Sequence, residues 1–241
     1  MTKRLLTCIS TLACGLVSMA CEVTSSADLK TSGIDAEMTV TANDAQSSEL
    51  EVILLPGGDD DPFNRVELNG GDALYGEAAG ERKKLSGGTL GVYRATFGTA
   101  AADTRFVISL ERALDEDEDA PNSVGSLPAP FTLGALAKTA YSRAEDLVVE
   151  WSPSGLGDPM SLEISGNCVS SASGRLTIAN DSGSFTVPAN QLQATSSDGM
   201  GTCEATLTVK RLRHGDADEA LNQESSLTLQ HVRTTTFSST P

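Results

Sequence analysis

"GVYRATFG", residues 91–98, decides the fold class. Val92, Arg94 and Thr96 alternate with Tyr93, Ala95 and Phe97, so the side chains repeat with a period of two. Successive side chains of a strand point to opposite faces, and this is the pattern of a half-buried one. The same reading extends outward. "TRFVISLER" (104–112) alternates downstream, and "AEMTVTA" (36–42) places Met38 and Val40 on one face upstream. "ELEVILLPGG" (49–58) runs apolar into a Pro-Gly-Gly stop, and "NRVELNGGDALYGEA" (64–78) carries the turn signal Asn69-Gly70. Short strands with turn chemistry every 8–12 residues or so are the signature of an all-β sandwich.

The C-terminal half repeats the pattern. In "DLVVEWSP" (146–153), Val148 and Glu150 face away from Leu147, Val149 and Trp151. "MSLEISGNC", "GRLTIAN", "GSFTVPANQL", "GTCEATLTVKRLRHG" and "SSLTLQHVRTTTF" follow. Six such runs in about 95 residues, with a tryptophan in an early strand, fit a small immunoglobulin- or fibronectin-like sandwich. Trp151 is read as a core residue, and "NDSGSF" (180–185) as a turn. Between the halves, the two prolines of "LPAPFTLGAL" (127–136) point to an edge or a bend. "LAKTAYSRAED" (136–146) reads as a helical turn or a linker. The expected organisation is two all-β sandwich domains, 34–136 and 146–241.

The N-terminus carries its own signal. Lys3 and Arg4 precede an uncharged, mostly apolar run from Leu5 to Val17, the form of a secretory signal peptide over 1–20. That run is too short to span a bilayer, which takes roughly 20 apolar residues. The segment Ser18-Met19-Ala20-Cys21 approximates a lipobox, with Cys21 as the lipid acceptor and Thr11-Leu12-Ala13-Cys14 as a rival. Ordinary cleavage after Ala20 would release a soluble protein instead. Residues 21–33, rich in Thr, Ser and Asp, read as a polar tether.

Cysteine arithmetic favours the cut. Of the five cysteines, Cys8 and Cys14 leave with the signal and a lipid would occupy Cys21. Cys168 and Cys203 remain as an even pair in an oxidising compartment, where a disulfide is expected. Loss of Lys3 and Arg4 also takes the 17 basic residues to 15 against 33 acidic, a net charge of −18. Such a surface repels phosphate backbones, so nucleic acid is not an expected partner.

Motifs for chemistry are few. The chain has two histidines, His214 and His231, which excludes a three-histidine metal site. No HExxH, P-loop, dinucleotide-binding glycine pattern or G-x-S-x-G elbow occurs. His231 lies in a strand-like run, satisfied or facing solvent, and His214 precedes Gly215 in a turn. Three acidic groups stand out: Asp59 to Asp61, Asp115 to Asp119, and Asp216 with Asp218 and Glu219. Asp115, Asp117 and Asp119 open like an EF-hand loop, but Ala120 and Ser126 stand where its glycine and closing glutamate belong. These three remain only weak calcium candidates, and no cofactor is expected.

"VELNGGDALYG", "GVYRATF", "LPAPFTL", "VEWSPSG", "SGNC", "DSGSFTVPA", "GTCEATLTVKR" and "VRTTTFSSTP" resemble uncharacterised cell-envelope lipoproteins of myxobacteria and their relatives. The resemblance covers most of the mature chain. It implies an envelope lipoprotein with two β-rich parts and brings no catalytic residue. Glu22 is not the aspartate that retains some bacterial lipoproteins at the inner membrane, so the outer membrane is the expected location. The leading functional expectation is a non-enzymatic structural or binding module. It would be held to the membrane by its lipid, with an envelope protein or polysaccharide as partner. The alternatives are a calcium-assisted carbohydrate-binding or adhesion module and a secreted hydrolase on a β-scaffold.

Overall fold

The alternation at 91–98 forms the strand Val92–Phe97, with Tyr93 and Phe97 buried and Arg94 exposed. The computed structural model describes residues 23–58, 64–113, 118–178, 180–195 and 201–241. Among these the chain is all-β, built as two packed β-sandwiches. No helix of the described residues is long and apolar enough to cross a membrane.

One long sheet is common to both sandwiches. Its strand order is Arg175–Ile178, Met160–Ser165, Cys203–Gly215, Ser226–Thr240, Ile34–Ala42, Ser48–Pro56, Val92–Phe97 and Ser86–Gly87. A four-stranded sheet (Ala120–Ser126, Arg105–Glu111, Ala73–Ala78, Glu81–Lys84) belongs to the first sandwich. A three-stranded sheet (Thr132–Leu133, Leu147–Ser152, Ser184–Val187) belongs to the second. The first core contains Ile34, Val40, Leu50, Phe97, Phe106 and Ile108. The second contains Val149, Trp151, Leu162, Ile164, Leu207 and Phe237.

The hairpin of Cys203–Gly215 and Ser226–Thr240 joins the two. Its partners run in unbroken antiparallel register from Cys203↔Ser239 to Gly215↔Leu227. The other edge of Ser226–Thr240 is divided. Residues 226–231 pair in parallel with Glu37 to Ala42, and 238–240 pair in parallel with Ala140–Ser142. Leu227 and Leu229 therefore pack in the first core, and Phe237 in the second. At about 3.3 Å per residue, this single strand runs some 50 Å and serves both sandwiches.

Three local readings change. Residues 140–142 of "LAKTAYSRAED" are neither helical turn nor linker but a short strand, because the C-terminal strand offers its backbone edge there. His214 lies within Cys203–Gly215, not in a turn, since strand pairing continues to Gly215. The tether expected over 21–33 belongs to the fold from Val23 on. Val23–Ser25 pairs in parallel with Arg65–Glu67, and Ser26 and Thr31 are buried. The cause is a buried cation. Arg112 donates to the carbonyls of Ser26 (2.8 Å) and Leu29 (3.0 Å) and to Thr31 Oγ1 (3.0 Å). Its Nε lies 3.0 Å from Asp72, which in turn accepts the Ser26 hydroxyl at 2.7 Å. Cys21, the expected lipid acceptor, lies outside the described residues.

Cys168 and Cys203 form a disulfide across a sequence separation of 35, at the far end of the second sandwich beside Ser239. A crosslink closing a loop of that length restricts the unfolded chain and contributes roughly 3–4 kcal/mol. Reduction, or the double change Cys168→Ala with Cys203→Ser, is expected to lower the unfolding free energy by that amount. A urea midpoint unchanged between oxidised and reduced protein would refute it.

Candidate functional site

The chemistry-bearing side chains concentrate where one core gives way to the other. Along the inward face of Cys203–Gly215, Ala205, Leu207 and Val209 are followed by Arg211 and Arg213. On the neighbouring strand, Leu227 and Leu229 are followed by His231 and Arg233. Arg211 stands opposite His231. The shared sheet thus carries a polar seam between its two apolar ends.

Arg211 and Arg213 meet acceptors from elements that cross the seam. Leu127 to Phe131 carries the chain from the first sandwich to the second. Pro128 and Pro130 lack N–H groups, so this segment is rich in acceptors and poor in donors. Arg211, fully buried, donates to the carbonyls of Ala129 (3.1 Å), Pro130 (3.4 Å) and Pro153 (2.7 Å). Its charge is met by the buried Asp181 carboxylate at 3.0 Å. Arg213 grips Asp158 with two bonds, 2.8 and 2.9 Å, and donates to Asp103 (2.8 Å) and the Leu127 carbonyl (3.1 Å). The bonds to Asp158 and then Asp103 hold the Arg213 guanidinium above its ordinary pKa. The Phe131 ring lies 5.3 Å from the Arg211 guanidinium carbon and 5.6 Å from that of Arg233.

Asp181 comes from the turn "NDSGSF". Gly183 shapes that turn with φ +85°, and a Cβ there would meet the Ser154 side chain at 2.9 Å. The carboxylate accepts from Trp151 Nε1 (2.6 Å), Arg211 (3.0 Å) and the Leu156 N–H (3.2 Å). Trp151 is a core residue, as its strand parity indicates.

His231 departs from expectation. It is neither satisfied nor facing solvent. It is fully buried, and neither ring nitrogen has a hydrogen-bond partner among the described residues. Burial first, then the charges of Arg233 and Arg211, lower its pKa to about 4. The imidazole is therefore neutral at pH 7. Unfolded, it binds a proton below about pH 6.5, whereas the native ring does so only near pH 4. The unfolded state is thus favoured as pH falls through that window, by about 3 kcal/mol in all. His231→Leu is expected to remove this slope between pH 6.5 and 4. It should also stabilise the protein at pH 7 by about 1–3 kcal/mol, because it deletes an unpaired buried polar ring. Parallel pH profiles of wild type and variant would refute the assignment.

The acidic residues gather elsewhere. Glu118, Asp119, Asp216, Asp218 and Glu219 line an open groove of about 570 Å³ beside the four-stranded sheet. Two acidic runs separated in sequence meet there. Their carboxylates already serve the loops: Asp119 accepts from the Arg112 N–H, and Asp218 from the N–H groups of Asn122 and Ala220. Among the described residues no three His, Cys, Asp or Glu side chains are arranged to hold a metal ion. Asp115 and Asp117 lie outside the described residues, as do Asp59 to Asp61. No aromatic side chain among the described residues is exposed to form a sugar-stacking platform.

No family model and no curated protein matches the chain. Solved structures similar to it include the Yersinia pseudotuberculosis adhesin InvE, at 13% identity and a TM-score of 0.26, covering 87% of this chain and 59% of the adhesin. The FN1–FN3 domains of chicken CNTN1 match at 12% identity and a TM-score of 0.30, over 83% and 69% of the two chains. The ectodomain of mouse nectin-like molecule 4 matches at 13% and 0.27, over 82% and 62%. The chain thus spans 59% of the adhesin, less than two thirds, and scores at this level identify neither a family nor a partner.

Proposed function

We propose that the protein is an exported, lipid-anchored cell-envelope protein whose two sandwiches act together as a non-enzymatic structural or binding module. The observation that carries this reading is the shared sheet. Two sandwiches joined only by a linker would move independently by default. Here a common hairpin and a buried set of arginine bonds hold them in one orientation. A rigid body of this kind suits holding a surface at a fixed distance, or presenting it to an envelope protein or polysaccharide. The anchor rests on the signal-like residues 1–20 and on Cys21, and the outer membrane on Glu22.

Mass spectrometry of the N-terminal peptide from membrane and soluble fractions tests the anchor. A diacylglycerol-bearing Cys21 in the membrane fraction is expected. An unmodified peptide beginning at Cys21, recovered from the soluble fraction, would sink it and leave a free exported protein. The rigid-body half is tested by small-angle scattering: a single extended shape is expected, and an ensemble of inter-sandwich angles would contradict it.

A further inference from the structure

We infer that the tip of the first sandwich bearing Val23 and Leu90 rests on the lipid bilayer, so that the second sandwich is held outward. This rests on the lipid at Cys21 proposed above. Val23 is already strand-paired with Arg65, which leaves only Cys21 and Glu22 between lipid and fold. Two extended residues reach about 7 Å. A free tether of the thirteen residues 21–33 would have allowed about 20 Å. The docked segment therefore brings the protein body itself to the headgroups.

The surface brought there is defined by its neighbours. The turn containing Leu90 and Gly91 packs on Arg65: a Cβ on Gly91 would lie 3.0 Å from Arg65 Cβ and 2.9 Å from the Val66 carbonyl. Val23 and Leu90 thus flank the same short strand. They are 43% and 47% exposed, two of the four large apolar side chains exposed among the described residues. Leu90 has φ 57°, a left-handed conformation rare for a leucine, in a turn that leaves its side chain exposed. The other two, Val148 and Leu156, lie in the second sandwich.

The register fixes which way the body points. Ala42 pairs with His231 at the seam and Glu37 with Ser226, so Ile34 lies beyond the start of the C-terminal strand. Leu54, two places from Ile34's partner Pro56, has its carbonyl 3.0 Å from the Gly91 Cβ position. The Val23 and Leu90 tip is therefore the end of the first sandwich remote from the second. The Cys168–Cys203 bridge, opposite Ser239, closes the other extremity. This end also carries acidic side chains, since the Thr31 hydroxyl bonds the Glu118 carbonyl there, so the lipid and the two apolar side chains, not charge, hold it to the bilayer.

The test uses the full mature protein, purified from membranes and reconstituted in vesicles of phosphatidylethanolamine and phosphatidylglycerol. Leu90→Cys and Leu156→Cys, both at exposed positions, are labelled in turn with a fluorophore. Quenching is then read with headgroup-nitroxide lipids. Quenching several-fold stronger at 90 than at 156 is expected. Equal quenching at the two sites, in protein whose intact mass shows a lipidated Cys21, would overturn the orientation alone. An intact mass without lipid would overturn the anchor, and the orientation with it, so the two failures are told apart.

Discussion

Asp181→Ala is expected to destabilise the protein by about 3–5 kcal/mol, because it leaves the Arg211 guanidinium buried without its counter-charge. The change removes three bonds at once: those from Trp151 Nε1, from Arg211 and from the Leu156 N–H. The carbonyls of Ala129, Pro130 and Pro153 still accept from Arg211, but none carries a charge to balance it. Asp181→Asn keeps an acceptor oxygen and should cost less than alanine. The measurement is urea unfolding followed through Trp151 fluorescence and, separately, through backbone dichroism. Both probes should shift together, since the shared sheet links the two cores. A loss below about 1 kcal/mol would mean that the Arg211 charge is met some other way.

Arg112→Met is expected to cost a similar 3–5 kcal/mol or so, and its effect should centre on the N-terminal segment. Arg112 and Asp72 are both buried, and between them they hold Ser26, Leu29 and Thr31. Without the guanidinium, two carbonyls lose a donor and the Asp72 carboxylate is left unbalanced. Lys30 is exposed within this segment, so trypsin reports its release directly. Cleavage after Lys30 should accelerate in the variant while cleavage in the second sandwich does not. Adding Asp72→Asn to Arg112→Met should recover part of the loss, as expected for a coupled pair. A variant that cleaves at the wild-type rate would show that the segment is held by strand pairing with Arg65–Glu67 alone.

The strands were legible because a period of two survives wherever one face is buried and the other wet. This holds for Val92–Phe97, Arg105–Glu111 and Leu147–Ser152. The disulfide followed from counting cysteines. The seam did not declare itself, although one signal was present. Arg211 and Arg213 share the parity of Leu207 and Val209, so strand periodicity alone puts them inward. They are easily taken for a surface basic run because Lys210 stands beside them and their partners are remote in sequence. Asp181 lies thirty residues from Arg211, and Asp158 lies fifty-five from Arg213. The docked N-terminus was hidden for the same reason: Ser26 and Thr31 are buried polar residues that bond to Asp72 and Arg112, while the exposed Asp28, Lys30 and Ser32 around them give the segment the look of a solvated tether. Nor can a sequence show that one strand edge is divided between two partners, as in Ser226–Thr240.

The parallel pairing of Ile34–Ala42 with the start of Ser226–Thr240 also sets how the molecule resists being pulled. The chain enters at one extremity and ends at the other, and these two strands run in the same direction past each other. Tension applied between the ends slides them lengthwise, so the backbone bonds of the contact share the load and must yield together. A hairpin peeled open from its ends gives way one bond at a time. Stretched along its axis, the protein is loaded in shear, the mode in which a β-sheet is stiffest.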